Sequence, residues 1–210
     1  PNAGNADVVT AWILRWIPLG EEIQVDSVTS KLAMIALQGP KAGDVLQSIT
    51  EDDLSKVRPF RIVDTRVDGI DTTLARTGYT GEDGFELMVS VEYAAKIWTA
   101  LMELGAVPCG LGARDVLRLE AGLLLHGNDM DTSVNPYEAG LERFVNHDRE
   151  GYVARESLCK ILEEGSPRRL VGFIMIGRGI GRQGHPITDG LNVIGEVTSG
   201  SHSPTLDRNI

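Results

Sequence analysis

The chain has 210 residues, of which 42% are hydrophobic and 24% are charged, a composition typical of globular proteins that bury a core without disulfides. Its 20 basic and 30 acidic residues give a formal net charge of −10, which disfavours nucleic acid and anionic membranes as partners. No apolar run approaches the roughly 20 residues of a bilayer-spanning helix, and the first residues do not resemble a signal sequence. Cys109 and Cys159 lack metal-type spacing and are typical of reduced thiols, so we expect a cytoplasmic protein.

The first predicted helix begins after Asn5, which can cap it, and carries Asp7 in its first turn. Apolar residues then recur at helical spacing until Pro18 and Gly20 end the helix. These apolar residues are Val9, Trp12, Ile13 and Trp16. The run MIALQG at 34–39 predicts a short apolar strand.

A second helix and a β-hairpin are predicted next. Pro40 marks the start of the helix. Its inward-facing residues are Val45, Leu46 and Ile49. The hairpin consists of the runs 61–67 and 70–77 on either side of an Asp-Gly dipeptide, which favours the tight turn that matches strand twist. FELMVS at 85–90 predicts a further strand.

Two amphipathic helices are predicted in the middle of the chain. The first spans 92–104 and ends at Gly105. Its apolar residues are Ile97, Trp98, Leu101 and Leu104. The second lies within 110–123, begins at glycines and ends at Gly122.

The sequence changes character after these helices. A charged helix is predicted at 153–164, and from residue 168 the sequence reads as strand, turn and strand throughout. We therefore expect an α+β domain at 1–150, a linker helix and loop at 151–167, and an all-β piece at 168–210.

The sequence GIGRQG at 179–184 matches a dinucleotide-binding pattern and follows an apolar run that predicts a strand. That function requires a helix directly after the glycines, because its N-terminus holds the pyrophosphate. Here a His-Pro and then an Asp-Gly dipeptide follow, which favours a hairpin. We expect these glycines to shape a loop between strands.

Glu86 lies in the segment RTGYTGEDGFEL, at 76–87, between two predicted strands. The three glycines of this segment permit positive φ angles and the close approach of a flat ligand. They are Gly78, Gly81 and Gly84. The Glu86 carboxylate can accept two parallel N–H donors, the pattern of a 2-amino-pyrimidinone edge. The alternative, favoured by spacing alone, is that Glu86 pairs with an arginine such as Arg76 or Arg114 and serves structure.

The helix at 110–123 leaves two alternatives open. Arg114 and Arg118 lie one turn apart, and Asp115 faces Arg118 at i+3, so they can form a surface ion network. Alternatively, Arg114 faces a pocket and holds an anionic group. The same choice, between a polar turn and a pocket rim, applies to Asn128, Asp129 and Asp131.

Four long motifs, in this order, resemble the aminomethyltransferase (T-protein) family of the glycine cleavage system. They are RTGYTGEDGFE, GLGARDVLRLEAGLLLHGNDMD, GRGIGRQGHP and IGEVTSGSHSPTL, with support from NAGNA and ALQGP. The resemblance implies a folate-binding α+β region with antiparallel sheets, followed by a C-terminal β-barrel domain. It also implies that the family's N-terminal portion and last barrel strands are missing from this chain.

The resemblance implies a reaction of tetrahydrofolate with an aminomethyl group carried on the lipoyl arm of H-protein. The folate N5 attacks the methylene, ammonia leaves, and 5,10-methylenetetrahydrofolate forms, while the protein acts mostly by orientation. By the same resemblance, Glu86 grips the pterin edge, Tyr79 lies beside the pterin ring, and the glycines make room for it. Arg114 and Arg182 resemble arginines of the folate pocket.

Val9 departs from the family pattern. Family members show Asn-Ala-x-Asn followed by an Asp near the folate N5 and N10 atoms, and the frame NAGNADVV places Val9 there. Asp7 lies about 200° away around a helix, so it cannot replace that carboxylate. The catalytic residue is therefore unknown, and folate binding is better supported than aminomethyl transfer.

Two alternative functions remain. A non-catalytic folate-binding relative that supports iron–sulfur cluster maintenance would carry a Cys-Tyr pair, which neither Cys109 nor Cys159 provides. A folate-linked demethylation module of a dimethylglycine or sarcosine enzyme would be attached to a flavin domain, which upstream sequence would reveal.

Overall fold

The computed structural model describes residues 3–210, and within them the chain divides into two compact units. Unit 1 contains the chain up to Leu37 together with Gly43–Arg76 and Phe85–Ala106. Unit 2 contains Gln38–Ala42, Thr77–Gly84 and Val107–Ile210.

Unit 1 is built on a four-stranded sheet with the order β1-β4-β3-β2. The strands are β1 (Leu32–Gln38), β2 (Ile62–Val67), β3 (Ile70–Ala75) and β4 (Gly84–Ser90). β2 pairs with β3, and β3 with β4, in antiparallel register. The predicted hairpin is confirmed: Asp68 and Gly69 have φ angles of 50° and 72°, and Val67 faces Ile70 across the turn.

One face of this sheet carries the core of unit 1. Along β4, Phe85, Leu87 and Val89 are buried, while the alternate residues Glu86 and Met88 are only half-buried. The helices of this region are α1 (Ala6–Arg15), α2 (Ala42–Gln47) and α3 (Ala94–Glu103). Their fully or nearly fully buried apolar side chains in unit 1 are Leu46, Ile97 and Leu101. Periodicity therefore located these helices, but only part of each predicted apolar face is buried, since Trp98 is 44% exposed.

The helix α1 forms where it was predicted, but its apolar stripe is not in the core. None of its ten residues is buried, and Trp12 remains 48% exposed. The rings of Trp12 and Trp16 pack edge to face, with centroids 5.5 Å apart. The Asn5 side chain makes no capping hydrogen bond among the described residues, because a short 3-10 helix, Ala3–Asn5, precedes α1 and gives Asn5 a helical conformation.

Unit 2 contains two α-helices and two small ladders. The helices α4 (Leu111–Glu120) and α5 (Arg155–Glu164) confirm the predicted helices of this region. The ladders are β5 (Pro186–Asp189) with β6 (Asn192–Glu196), and β7 (His202–Ser203) with β8 (Arg208–Asn209). Both are antiparallel, so the expected α+β class with antiparallel sheets is confirmed.

The apolar run 168–178 forms no strand, which corrects the prediction made from its sequence. Its backbone makes isolated bonds instead: Leu170 N–H donates to the Glu138 carbonyl, and Met175 N–H to the Asn209 carbonyl. A strand needs a neighbouring strand along its length, and the described residues provide none here. By contrast, no helix follows the glycines at 179–184, as predicted, because β5 begins at Pro186.

Short 3-10 helices also occur between these elements, at Thr29–Lys31, Leu54–Lys56, Val91–Tyr93 and Glu142–Phe144. Across residues 3–210, every helix is too short or too polar to cross a lipid bilayer.

Candidate functional site

Glu86 projects from β4 on the face opposite the buried side chains of unit 1. It stands across from Ala75 of β3 and is half-buried. It also interacts with other residues of the protein. A cavity of about 480 Å³ in unit 1 is lined partly by Met88 and Ser90 of the same strand, but Glu86 does not line it.

Tyr79 and Arg114, both named from the sequence, are brought together in unit 2. The guanidinium carbon of Arg114, on exposed surface of α4, lies 4.8 Å from the centre of the Tyr79 ring. The Tyr79 hydroxyl donates to the Leu124 carbonyl at 2.5 Å. Burial raises the pKa of Tyr79, and the positive charge of Arg118 opposes this only in part. A flat ring with a cation on its face is thus held by a backbone hydrogen bond.

The glycines of the segment 76–87 have a packing function of their own. A Cβ atom on Gly78 would lie 1.8 Å from Oε1 of Gln38. Gly81 has a φ of 76°, and a Cβ there would lie 2.7 Å from the Cβ of Ala121, directly after α4. At these two positions the space that a side chain would need is filled by protein atoms.

Arg182 lies in the loop that the glycines at 179–184 shape. Its Nη1 donates to the Gly200 carbonyl at 3.3 Å, and its backbone N–H donates to Nδ1 of His185. A Cβ on Gly200 would lie 2.1 Å from the carbonyl oxygen of Gly181, so the two backbones meet without room for a side chain. The Arg182 side chain itself is exposed.

Arg118 does not belong to a surface ion network as one alternative supposed, because only 2% of it is exposed. Its guanidinium donates four hydrogen bonds within unit 2. Nε donates to Asp115 at 2.8 Å, Nη1 to Asp129 at 2.6 Å and to the Leu123 carbonyl at 3.2 Å, and Nη2 to Ser199 at 2.8 Å. Helical spacing revealed its partner Asp115 but could not reveal its burial.

Asp129 is neither a simple polar turn residue nor an exposed pocket rim, because it is 7% exposed and paired with Arg118. One carboxylate oxygen also accepts the Leu125 N–H at 2.8 Å. The other accepts the hydroxyls of Thr198 and Ser199 at 2.5 and 2.7 Å. Burial raises the pKa of Asp129, but these hydrogen bonds outweigh it and hold the pKa below its usual value. Beyond the polarity of the turn, the sequence carries no signal for this partnership.

At the start of the chain, Val9 is half-buried on α1 and Asp7 is exposed on the same helix. The residue Asn2, which begins the NAGNA motif, lies outside the described residues. Among residues 3–210, no group of His, Cys, Asp and Glu side chains is arranged to hold a metal ion.

Comparisons with known proteins match both parts of the chain to one family. Residues 1–149 match the GCVT N-terminal domain, and residues 168–210 match the glycine cleavage T-protein C-terminal barrel domain. The chain is 42% identical to the aminomethyltransferase of Caldanaerobacter subterraneus subsp. tengcongensis, and all of it aligns with 57% of that protein. It is 44% identical to the aminomethyltransferase of Halalkalibacterium halodurans, where all of it aligns with 58% of the relative.

A solved structure agrees with these matches. The glycine cleavage system aminomethyltransferase T of Bartonella henselae is 32% identical, with a TM-score of 0.88 over 99% of this chain and 57% of that one. The chain thus spans less than three fifths of the length of the relatives it matches. The comparisons do not favour the non-catalytic or demethylating alternatives. The chain belongs to the glycine cleavage T-protein, or aminomethyltransferase, family.

Proposed function

We propose that this protein binds tetrahydrofolate and transfers to it the methylene of an aminomethyl group carried on the lipoyl arm of H-protein. Family membership along the whole chain supports this activity. The structural observation that carries the proposal is the contact between Arg114 and Tyr79, with 4.8 Å between the guanidinium carbon and the ring centre. An aromatic ring offers a stacking surface to a flat heterocycle, and arginine suits the carboxylates of a folate tail.

Glu86 is the residue proposed to recognise the pterin. Its strand position turns the carboxylate away from the buried residues Phe85 and Leu87. A carboxylate that accepts two N–H donors of an amino-pyrimidinone edge makes two charged hydrogen bonds, which are stronger than neutral ones. Arg182, exposed in its loop, is proposed as a second cation for the folate.

The proposed reaction needs orientation more than acid–base chemistry. The folate N5 attacks the methylene carbon, the carbon–nitrogen bond to the amino group breaks, and ammonia leaves. Holding the two reactants together supplies most of the expected rate gain. Val9 has no proton to exchange, so we assign no catalytic residue at that position.

We further propose the domain boundaries 1–150, 151–167 and 168–210, in a protein of the cytoplasm. The family matches at 1–149 and 168–210 support the first and last of these ranges. The helix α5, Arg155–Glu164, lies in the proposed linker. Reduced cysteines support the compartment, since Cys109 and Cys159 are both free.

Calorimetric titration of the full-length protein with tetrahydrofolate tests the proposal. The variant Glu86→Ala should weaken binding by about 1–3 kcal/mol, the cost of lost charged hydrogen bonds. The exposed control Glu92→Ala, in the same unit, should bind as the wild type does. Equal affinity of the wild type and Glu86→Ala would refute the pterin role. Release of ammonia from aminomethyl-loaded H-protein then tests the reaction, and binding without ammonia release would refute the transfer activity.

A further inference from the structure

Three side chains of unit 2 hold the backbone of three successive residues, 123–125. Arg118 donates to the first carbonyl at 3.2 Å, and Tyr79 donates to the second at 2.5 Å. The N–H of the third residue donates to Asp129 at 2.8 Å. The position of the Tyr79 hydroxyl therefore depends on a segment that Arg118 and Asp129 fix on either side of it.

Arg118 and Asp129 are themselves held in place by their ion pair and by further hydrogen bonds. Arg118 and Asp129 bond to each other at 2.6 Å, and both are buried. The Ser199 hydroxyl accepts from Arg118 and donates to Asp129, and the Thr198 hydroxyl also donates to Asp129. A buried charge pair with its donors and acceptors satisfied has few alternative arrangements.

Two other proposed binding residues, Arg114 and Arg182, are linked to this pair by short connections within unit 2. Arg114 lies one helical turn before Arg118 on α4. Arg182 donates to the carbonyl of Gly200, which directly follows Ser199. The Arg118–Asp129 pair thus connects, within unit 2, the elements that carry Tyr79, Arg114 and Arg182.

We propose that Arg118 and Asp129 are positioning residues, which orient Tyr79 and Arg114 for the folate without touching it. The inference rests on the proposed function, because it concerns the same binding site. A buried ion pair contributes little net stability relative to well-packed apolar residues, so its main contribution here is geometric. Removing the Asp129 charge breaks the ion pair with Arg118 and leaves the Leu125 N–H with a neutral, weaker acceptor, so residues 123–125 and the Tyr79 hydroxyl bonded to them are held less firmly.

The test compares Asp129→Asn with the wild type at a temperature where both are folded. Asp129→Asn keeps the shape of the side chain, and we expect tetrahydrofolate to bind about tenfold more weakly. Hydrogen exchange without ligand should become faster in peptides covering 123–125 and Tyr79. The control Asp115→Asn removes another ion pair from Arg118 but leaves 123–125 held, so both readouts should stay near wild type. A second control, Ser203→Ala, removes the hydrogen bond from the buried Ser203 hydroxyl to the half-buried Glu120 and reports on a loss of stability alone.

Each outcome supports or overturns the inference. If the wild type does not bind tetrahydrofolate, the proposed function fails and the inference fails with it. If the wild type binds and Asp129→Asn binds equally well, the inference alone is overturned. If Asp129→Asn does not fold, the milder Thr198→Val removes one hydroxyl donor from Asp129 and decides the matter. Unchanged affinity and exchange in Thr198→Val would then overturn the inference, and weaker binding together with faster exchange would support it.

Discussion

A Cβ atom added to Gly78 would lie 1.8 Å from Oε1 of Gln38, the last residue of β1. The Gln38 amide is fixed at both ends, since its Nε2 donates to the Thr77 carbonyl and its Oε1 accepts from the Thr80 hydroxyl. Gly78 therefore permits a side-chain to backbone contact that holds the segment 77–80 in place.

The substitution Gly78→Ala should displace the Gln38 amide and break both of these bonds. We expect a loss of about 1–2 kcal/mol in the free energy of unfolding, measured by urea denaturation. The control Gly112→Ala lies on exposed surface of α4, where an added Cβ meets no atom within 4 Å. It should stabilise the protein by about 0.5–1 kcal/mol, because alanine favours a helix. Equal stability of Gly78→Ala and wild type would contradict the packing role of Gly78.

The ion pair of Asp129 should make stability depend on pH in acid. Burial raises the pKa of Asp129, but its hydrogen bonds lower the pKa by a larger amount. The folded-state pKa therefore lies below the unfolded value of about 3.9. The resulting stability is present above about pH 4 and is lost as the pH falls through the folded pKa. The stability difference between wild type and Asp129→Asn should therefore shrink as the pH is lowered into the range below about 4. Urea unfolding across that range measures it, and a constant difference would contradict the assignment.

Ala154 precedes α5 with a φ of 68°, in the left-handed region that disfavours residues with a Cβ atom. The substitution Ala154→Gly should relieve this strain and raise the free energy of unfolding by about 0.5–1 kcal/mol, once the greater chain entropy of glycine is included. Ala95→Gly, on exposed surface of α3, is the matched control and should lower stability by about 1 kcal/mol. Thermal denaturation distinguishes the two, and a loss of stability in both variants would refute strain at Ala154.

The substitution Tyr79→Phe removes the hydroxyl and keeps the ring, so it measures the contribution of the hydroxyl alone. The variant removes the donor to the Leu124 carbonyl and should cost about 0.5–1.5 kcal/mol of stability, while Arg114 keeps an aromatic face to pack on. Tyr93→Phe, 43% exposed in a 3-10 helix, should change stability little. Equal stability of the two variants in chemical denaturation would show that the Leu124 bond contributes nothing.

Local sequence signals predicted most of the helices and the hairpin. Helices end where glycines permit positive φ, and Gly105, Gly122 and Gly165 have φ angles of 94°, 68° and 79°. The Asp68-Gly69 turn specified the register of β2 and β3 in the same way. These features depend on neighbours within a few residues, which is why spacing alone identified them.

The candidate site was only partly predictable. The motifs indicated Tyr79 and Arg114, and the structure brings these two together. Nothing in the spacing indicated that Arg118 is buried against Asp129, because the two are joined through a turn whose path helical periodicity does not describe. The role of Gly78 was likewise hidden, since Gln38 lies 40 positions earlier in the sequence.

The amino-acid sequence by itself determined the helices, the hairpin and the family to which the chain belongs, because these rest on local periodicity, turn chemistry and long motifs. Only the tertiary structure decided which polar residues are buried, which glycines face protein atoms, and that the apolar run 168–178 pairs with no strand. Burial and strand pairing depend on segments far apart along the chain, and those contacts exist only once the chain has folded.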